Sequence, residues 1–278
     1  MTDPSTHIRL VVNADDFGMT PEISRGIIRA HKDGCVTSTS VLGNCADVAA
    51  AKALLDEAPE LGVGVHLALV GGRPTAPIAD VASLVDAAGM LPERPRDFFK
   101  LWMKGSIIRS HVETEINHQI GRVIAAGMRP DHVDTHHHLG FVPVIGQAME
   151  AAARRHGIPG IRSAVEQPTI AWVTEPRRGL EAGLLAGLSW LTRRQMGALR
   201  HGPQSWGFVE SGQLDEIRIL EIIGRLGPGV HELICHPGDG NPDPEHDRPR
   251  ELAALTSDKV RHALARKGVT LCRWRDLF

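Results

Sequence analysis

Short apolar runs alternate with longer amphipathic stretches along most of the 278-residue chain. The apolar runs have the length and β-branched content of buried strands. They are RLVVNA (9–14), VTSTSVLG (36–43), GVGVHLAL (62–69), DHVDTH (131–136), GIRSA (160–164), HELICH (231–236) and VTLCRW (269–274).

The stretches between these runs have helical periodicity. Helices are predicted at about 21–32, over an Ala-rich stretch that ends before Pro59, and at about 111–126, 143–156, 214–226 and 249–267. Strand–helix alternation repeated about seven times predicts parallel strands joined by crossover helices, and therefore an open α/β sheet or a (β/α) barrel.

Two segments interrupt this alternation. Residues 70–110 and 165–213 contain many Gly, Pro and Arg and no clear strand. Long connections of this kind carry substrate-binding loops more often than they serve as spacers. We therefore expect one domain over 1–278 with loop insertions at about 70–110 and 165–213.

The second insertion contains an apolar segment, GLEAGLLAGLSWLTRRQ (179–195), in which leucines recur at helical spacing between pairs of arginines. One interpretation is a helix packed on the barrel. The other is a lid that touches the bilayer, since an apolar face with basic flanks suits an interface. This would make 179–195 a peripheral membrane contact for a lipid-borne substrate.

Composition excludes several classes of protein. A formal charge of -2 and a pI near 6.7 argue against nucleic-acid binding. The four cysteines form no C-x-x-C pair, the first ten residues contain no long apolar run, and no apolar segment approaches the length of a membrane span, about 18 residues. The interpretation is a reduced, cytoplasmic protein without transmembrane segments, and homo-oligomer formation is left open.

Acids and histidines collect where the predicted strands end. Asp15 and Asp16 follow the first strand, His66 lies near the end of the third, His136–His138 close the fourth, and His236 closes the HELICH strand. Taken singly, each has a simpler explanation as a turn residue or a core histidine. Because the carboxyl ends of parallel strands form one rim, their joint placement favours a site. One carboxylate with two imidazoles is a sufficient ligand set for a catalytic divalent metal.

The histidine triplet leaves a choice of ligand. If the chain remains extended there, Asp134, His136 and His138 share one face and His137 takes the other. His137 is then the poorest ligand candidate, and spacing alone does not choose between His136 and His138.

Six motifs carry a resemblance to a known family. NADDFG, VTSTSV, GVGVHLAL with GGRP, DHVDTHHH and CHPG occur in this order between about residues 8 and 240. They resemble the YdjC-like carbohydrate deacetylases, the ChbG/HpnK family, and the middle and later parts look closer to the hopanoid-associated HpnK branch. The resemblance implies a distorted (β/α) barrel of about seven parallel strands, related to polysaccharide deacetylases. It also implies metal-dependent removal of acetyl from an N-acetylated sugar or glycolipid.

The resemblance also implies roles for individual residues. Asp16, His66 and His136 match the metal ligands, Asp15 the general base and His236 the general acid. The metal would lower the pKa of a bound water and polarise the acetyl carbonyl. Two nitrogens and one oxygen favour zinc, cobalt or iron, whereas the resemblance brings in magnesium, so we expect one Mg²⁺ or Zn²⁺ ion.

The sequence departs from the family pattern at one position shortly after the triplet. The family usually reads His-x-His-x-His, and this chain has Gly140 in place of the last histidine. Metal binding should survive, and a substrate contact or a supporting hydrogen bond should change. Asp134 either orients a ligating imidazole or is a simple strand-end acid, and His138 is the alternative ligand or a residue that supports the ligands.

Two other classes of function fit the sequence less well. Another metal-dependent (β/α)-barrel hydrolase, such as an amidohydrolase or phosphoesterase, is disfavoured because many amidohydrolases present His-x-His after the first strand, where this chain has Asp-Asp. A sugar-binding relative without turnover is disfavoured because all the candidate catalytic residues are present.

Overall fold

The computed structural model describes residues 7–162, 200–240 and 246–278, together with the isolated positions 169, 171, 180, 183, 187 and 192. The strands are β1 (Ile8–Phe17), β2 (Ser38–Leu42), β3 (Gly62–Leu67), β4 (His132–Thr135), β5 (Gly160–Ile161), β6 (Arg200–His201), β7 (Gln204–Trp206), β8 (Gly229–Cys235) and β9 (Val269–Leu271). The α-helices of the described ranges are α1 (Pro21–Lys32), α2 (Val48–Leu55), α3 (Pro95–Met103), α4 (Arg109–Ala125), α5 (Pro143–His156), α6 (Glu216–Arg225), α7 (Arg248–Leu255) and α8 (Asp258–Arg266).

The strands form one curled, parallel sheet. Their order is β6-β5-β4-β3-β2-β1-β8-β7, and β9 pairs with the first three residues of β1. Every strand pair in the described ranges is parallel. The predicted α/β fold with a distorted barrel of parallel strands is therefore confirmed, and all carboxyl ends lie at one rim.

Helices cover the outer face of the sheet. Helix α1 begins where Thr20 Oγ1 accepts the backbone N–H of Ile23 and Pro21 occupies the first turn. Its buried Ile23 and Ile27, four residues apart, lie on one face and join the main hydrophobic core. Alternation along β1 sends Val12 to that core.

The inner face of the sheet is polar and buried. Asn13 and Asp15 of β1 point into the barrel and are 0% and 1% exposed. The other end of the barrel interior is occupied by the C-terminal segment. There the backbone N–H of Trp274 donates to Ser38 Oγ at the start of β2, and that of Arg275 donates to Asp131 just before β4. Trp274 thus forms a floor beneath the polar interior, opposite the rim.

Two parts of the sequence prediction are wrong. The segment 165–213, in which no clear strand is expected, contributes β6 and β7. The 70–110 segment, which has no clear strand in the sequence, contains α3. The single helix expected at about 249–267 is two helices, because Thr256 Oγ1 bonds back to the Leu252 carbonyl and Ser257 Oγ caps α8 at the Lys259 N–H. Such short strands and side-chain caps give little periodic signal.

The segment 179–195 lies mostly outside the described residues, so neither interpretation of it is decided. Of its described positions, Leu180 is 67% exposed and the Thr192 hydroxyl donates to the Phe141 carbonyl at 2.6 Å. Among the helices that the structure describes, none is long and apolar enough to cross a bilayer. The single domain over 1–278 stays a prediction.

Candidate metal and active site

Asp15 and Asp16 both face the barrel interior because β1 breaks its alternation between them. The register of β1 against β2 shifts between Ala14 and Phe17, and Asp16 has a φ of 69°. Left-handed backbone is uncommon outside glycine, and Asp and Asn adopt it most readily. The irregularity is the bend that two adjacent carboxylates need in order to share one site.

Asp16, His66 and His136 bring three potential ligand atoms together. Asp16 Oδ1 lies 3.1 Å from His136 Nδ1 and 3.5 Å from His66 Nε2, and the two nitrogens are 3.2 Å apart. Donors that each bind one ion at about 2.0–2.2 Å have separations of this size. Within the described residues, Asp16 Oδ1 is buried and has no hydrogen-bond donor. These residues therefore fit the divalent metal that the sequence resemblance implies.

The orientation of His66 is set by Asp134. His66 Nδ1 lies 2.8 Å from Asp134 Oδ1, so Nδ1–H donates there and the Nε2 lone pair faces Asp16 and His136. Burial would lower the pKa of His66, but Asp134, Asp15 and Asp16 raise it to about 9. Without metal the pocket thus attracts a proton, and a divalent cation could take its place.

Arg248, at the start of α7, holds the other oxygen of Asp16. Its guanidinium donates to Asp16 Oδ2 at 2.8 Å, and Arg248 is fully buried. Burial by itself would raise the pKa of Asp16, but His136 and Arg248 keep it well below its usual range. Asp16 is therefore an ionised carboxylate with one oxygen held by Arg248 and one left for a cation.

Asp15 is held in a different way. Arg162, directly after β5, donates to both oxygens of Asp15 at 2.6 and 2.8 Å, and Asn13 Nδ2 donates to Oδ1 at 2.8 Å. Burial would raise the pKa of Asp15, but Arg162 and the neighbouring His66 hold it well below its usual range. Asp15 is thus a fixed, ionised carboxylate beside the Asp16 cluster.

A second set of candidate ligands, Asp15, His66 and Asp134, overlaps the first. Arg162 also lies 2.7 Å from Asp134 Oδ2, so this guanidinium contacts both acids of the set. His66 uses Nδ1 toward Asp134. The ligand atoms of this second set thus already contact Arg162 or each other. The geometry therefore favours Asp16, His66 and His136 as the ligands of the ion.

The histidine triplet does not remain extended. Strand β4 ends at Thr135, and residues His136–Phe141 form a 3-10 segment in which His137 and His138 both have a φ of 53°. The Thr135 hydroxyl accepts the backbone N–H of Gly140 at 2.8 Å and stabilises this turn. His136 and His138 therefore do not share a face, because left-handed residues replace the strand.

The three histidines consequently have different surroundings. His136 faces Asp16, and the His137 ring lies 4.1 Å from that of His136. The His138 ring packs edge-on against Phe208 at 4.7 Å, and burial lowers its pKa to about 4. His138 lies outside both ligand clusters found among the described residues.

Gly140, where the family pattern has a histidine, has little free space. A Cβ there would lie 3.2 Å from Met149 Cε and 3.3 Å from Thr135 Oγ1. A side chain at this position would require Met149 or Thr135 to shift by a few tenths of an ångström.

His236 closes β8 at the same rim. It is 6% exposed, its ring lies 4.6 Å from that of His246, and its Nδ1 is 3.4 Å from Ser211 Oγ. Its backbone N–H donates to Glu251 Oε2 at 2.6 Å. Burial and His246 lower the pKa of His236 well below its usual range, against the effect of Asp16 and Asp15. The imidazole is therefore neutral at pH 7 in this state.

The structure brings five predicted site residues together, namely Asp15, Asp16, His66, Asp134 and His136. His236 lies at the same rim beside His246, and His138 packs against Phe208. Sequence reasoning missed two residues of the site. Arg162 lies in the middle of the predicted strand GIRSA (160–164), so the strand-end argument does not single it out; the observed strand ends one residue before it, at Ile161. Arg248 begins a helix after a Pro- and Asp-rich loop and carries no strand-end signal either.

Comparison with known proteins agrees with this fold. A carbohydrate deacetylase of Clostridium beijerinckii is 35% identical over 97% of this chain and 100% of that protein. A crystal structure of a putative cellobiose-phosphate cleavage protein from Enterococcus faecalis V583 matches 98% of this chain and 99% of that one, with 28% identity and a TM-score of 0.79.

More distant similarity concerns the fold alone. A peptidoglycan N-acetylglucosamine deacetylase matches 99% of this chain and 90% of that one, with 12% identity and a TM-score of 0.51. The family model described as YdjC-like protein matches residues 9–266. This match covers most of the chain, so the protein belongs to the YdjC-like family.

Proposed function

We propose that this protein is a metal-dependent hydrolase that removes acetyl from an N-acetylated sugar. The observation that carries the proposal is the cluster of Asp16, His66 and His136 beside a second carboxylate, Asp15, that Arg162 fixes in place. The carbohydrate deacetylase relative and the resemblance of the motifs point to the same reaction.

Asp16, His66 and His136 would hold the ion, Mg²⁺ or Zn²⁺. When bound, it would supply Lewis-acid activation of the water and of the acetyl carbonyl. Asp134 orients His66 through the 2.8 Å contact with Nδ1, and Arg248 keeps Asp16 ionised. His138 is a supporting residue in this proposal, and it is not a ligand.

Asp15 is the general base. Arg162 holds it in one position beside the metal cluster and keeps it ionised, so that it accepts a proton as water attacks the acetyl carbon. Its lowered pKa favours passing that proton on. Hydrolysis then breaks the amide C–N bond and yields acetate and the sugar amine in its protonated, ammonium form.

His236 delivers a proton to the departing amine. An amine leaves poorly unless it is protonated, so the proton that Asp15 takes from water has to reach the nitrogen. A neutral His236 can carry it, and because burial and His246 lower the pKa of this imidazole, its protonated form readily gives the proton up to the amine nitrogen. The proton count balances with no proton taken from outside.

The substrate class follows from the resemblance to the two branches of the family. We infer an N-acetylglucosamine-type sugar, with a lipid-linked glycoside such as a hopanoid glycoside as the first candidate and a chitooligosaccharide as the second. The described Cys35, Cys45, Cys235 and Cys272 are buried free thiols, in agreement with the proposed reducing, cytoplasmic location.

The test is amine release from N-acetylglucosamine, N,N'-diacetylchitobiose and an N-acetylglucosaminyl lipid in detergent micelles. Activity should disappear with EDTA and return with Mg²⁺ or Zn²⁺. The matched control is Asp15→Asn, which should be inactive on every substrate. If wild type is as inactive as this variant on every acetylated sugar but hydrolyses a phosphomonoester, the deacetylase proposal fails. The protein would then be the alternative, a metal-dependent phosphoesterase.

A further inference from the structure

We propose that Glu232 and Trp274 are positioning residues, which fix Arg162 and through it Asp15 from the floor of the barrel. The effect on catalysis rests on the proposed function, in which Asp15 is the base.

One carboxylate oxygen links the floor to the site. Glu232 Oε1 accepts a hydrogen bond from Arg162 Nε at 2.9 Å and another from Trp274 Nε1 at 3.2 Å. Glu232 and Trp274 are both 0% exposed. Glu232 Oε2 has no hydrogen-bond donor within the described residues, so Oε1 alone anchors the carboxylate.

The chain of contacts continues from Arg162 into the site. While Nε is held by Glu232, both terminal nitrogens of Arg162 contact Asp15 and one also contacts Asp134. A planar guanidinium held at Nε can turn little about its own axis. The position of Glu232 therefore determines how the guanidinium meets Asp15.

Arg162 needs an anchor because its own strand gives it little support. Strand β5 has only two residues, Gly160 and Ile161, and Arg162 follows it directly. Glu232 belongs to the seven-residue strand β8, and β4, β3, β2 and β1 lie between the two in the sheet. The Arg162 side chain thus spans the interior and is fixed at its far end by a longer strand.

Trp274 is itself tightly held. Its indole stacks on the His132 ring with centroids 4.6 Å apart and planes at 10°. Gly64 makes room for that ring, since a Cβ there would lie 2.3 Å from His132 Cε1. The stack fixes the indole plane, and so the indole N–H is directed at Glu232.

Stability alone does not account for this arrangement. A buried carboxylate and guanidinium cost desolvation that their attraction often only offsets, and apolar residues could fill the same space. Three carboxylates, from Asp15, Asp134 and Glu232, surround the single Arg162 guanidinium. Such a cluster is expected where the position of a charged group matters to function.

The experiment uses three variants and a matched control. Trp274→Phe keeps the stacked ring and removes the N–H, Glu232→Gln keeps an oxygen acceptor, and Glu232→Leu removes it. The control is Trp206→Phe, because Trp206 is also buried and donates from Nε1 at 3.2 Å, to His231. By alternation along β8, His231 lies on the opposite face of the sheet from Glu232.

For each variant we would measure kcat, KM, metal content and the exchange rate of the Arg162 Nε–H by nuclear magnetic resonance. Arg162→Lys identifies that signal by its disappearance. We expect kcat to fall about tenfold in Trp274→Phe and Glu232→Gln and about 100-fold in Glu232→Leu, with KM and metal content unchanged. Nε–H exchange should accelerate at least about tenfold in all three and stay as in wild type in Trp206→Phe.

The outcomes separate the two proposals. If wild type hydrolyses no acetylated sugar but Nε–H exchange is faster in the three variants, the deacetylase proposal is rejected and the anchoring of Arg162 by Glu232 and Trp274 stands. An active wild type whose kcat is unchanged in Glu232→Leu, or falls equally in Trp206→Phe, would overturn the positioning role. Unchanged Nε–H exchange in Glu232→Leu would overturn it as well.

Discussion

Arg162 meets Asp15 with two hydrogen bonds, of 2.6 and 2.8 Å, inside the barrel. A lysine ammonium at this position could not contact both oxygens in the same plane. We predict that Arg162→Lys lowers kcat on the order of 100-fold, because the base loses its orientation. Metal content by mass spectrometry should equal that of wild type, since Arg162 touches none of the three proposed ligands. Loss of metal in this variant would assign Arg162 to the metal site instead.

Substitution of Asp15 and of Asp16 should have different effects on metal binding and on the reaction rate. Asp16→Asn should lose the ion, because Asp16 Oδ1 is the buried oxygen beside both imidazoles. Asp15→Asn should retain the ion and lose activity by roughly 100- to 10,000-fold, as expected for removal of a general base. Metal content and kcat, measured on the same preparations, check both statements. Equal metal loss in the two variants would contradict the division of roles.

Metal content also distinguishes the histidines of the triplet. His136→Ala should abolish binding, whereas His138→Ala should bind the ion, because His136 Nδ1 faces Asp16 and His138 packs against Phe208. His137→Ala is the matched control, since its ring adjoins that of His136 without joining the ligand cluster. Metal retained by His136→Ala and lost by His138→Ala would reverse the assignment.

The role of His236 can be isolated with a better leaving group. 4-Nitrophenolate leaves an acetyl ester without needing a proton, whereas a sugar amine needs one. We predict that His236→Gln slows hydrolysis of the N-acetyl sugar by about 100-fold or more and that of 4-nitrophenyl acetate by less than about threefold. Equal losses on both substrates would show that His236 does not act as the acid.

Glu251 should make stability depend on pH. It is fully buried, and burial raises its pKa to about 7 from the ordinary value of 4.5, against the lowering effect of the His236 and Leu214 backbone N–H groups. A raised pKa means that the folded state binds this proton more tightly, so the contribution to stability is complete below pH 4.5. It is lost as pH rises from about 4.5 to about 7, and amounts to roughly 3 kcal/mol.

The measurement is the free energy of unfolding in urea, for wild type and Glu251→Gln, over this pH range. The difference between the two proteins removes the effect of other titrating groups. Wild type should lose stability relative to the variant as pH rises. A difference that stays constant, or changes in the opposite direction, would exclude a raised pKa for Glu251.

Much of the fold was predictable because it depends on local pattern. Alternating apolar runs and amphipathic helices give parallel strands, and parallel strands place their ends at one rim. The convergence of Asp16, His66 and His136 follows from that rule, although they are far apart in the sequence. Strands β6 and β7 were missed, since two or three residues carry no measurable period and their pairing with longer neighbours defines them.

The sequence by itself determined the class of fold, the rim on which the site lies and the residue types available for a metal. The tertiary structure decided which histidine faces Asp16, because that depends on the left-handed backbone of His137 and His138, which no periodicity encodes. It also decided that Arg162 holds Asp15 and that Glu232 and Trp274 hold Arg162. Those contacts cross the barrel interior and join parts of the chain that are not adjacent in the sheet. Only the curvature of the whole sheet brings their side chains within hydrogen-bonding distance.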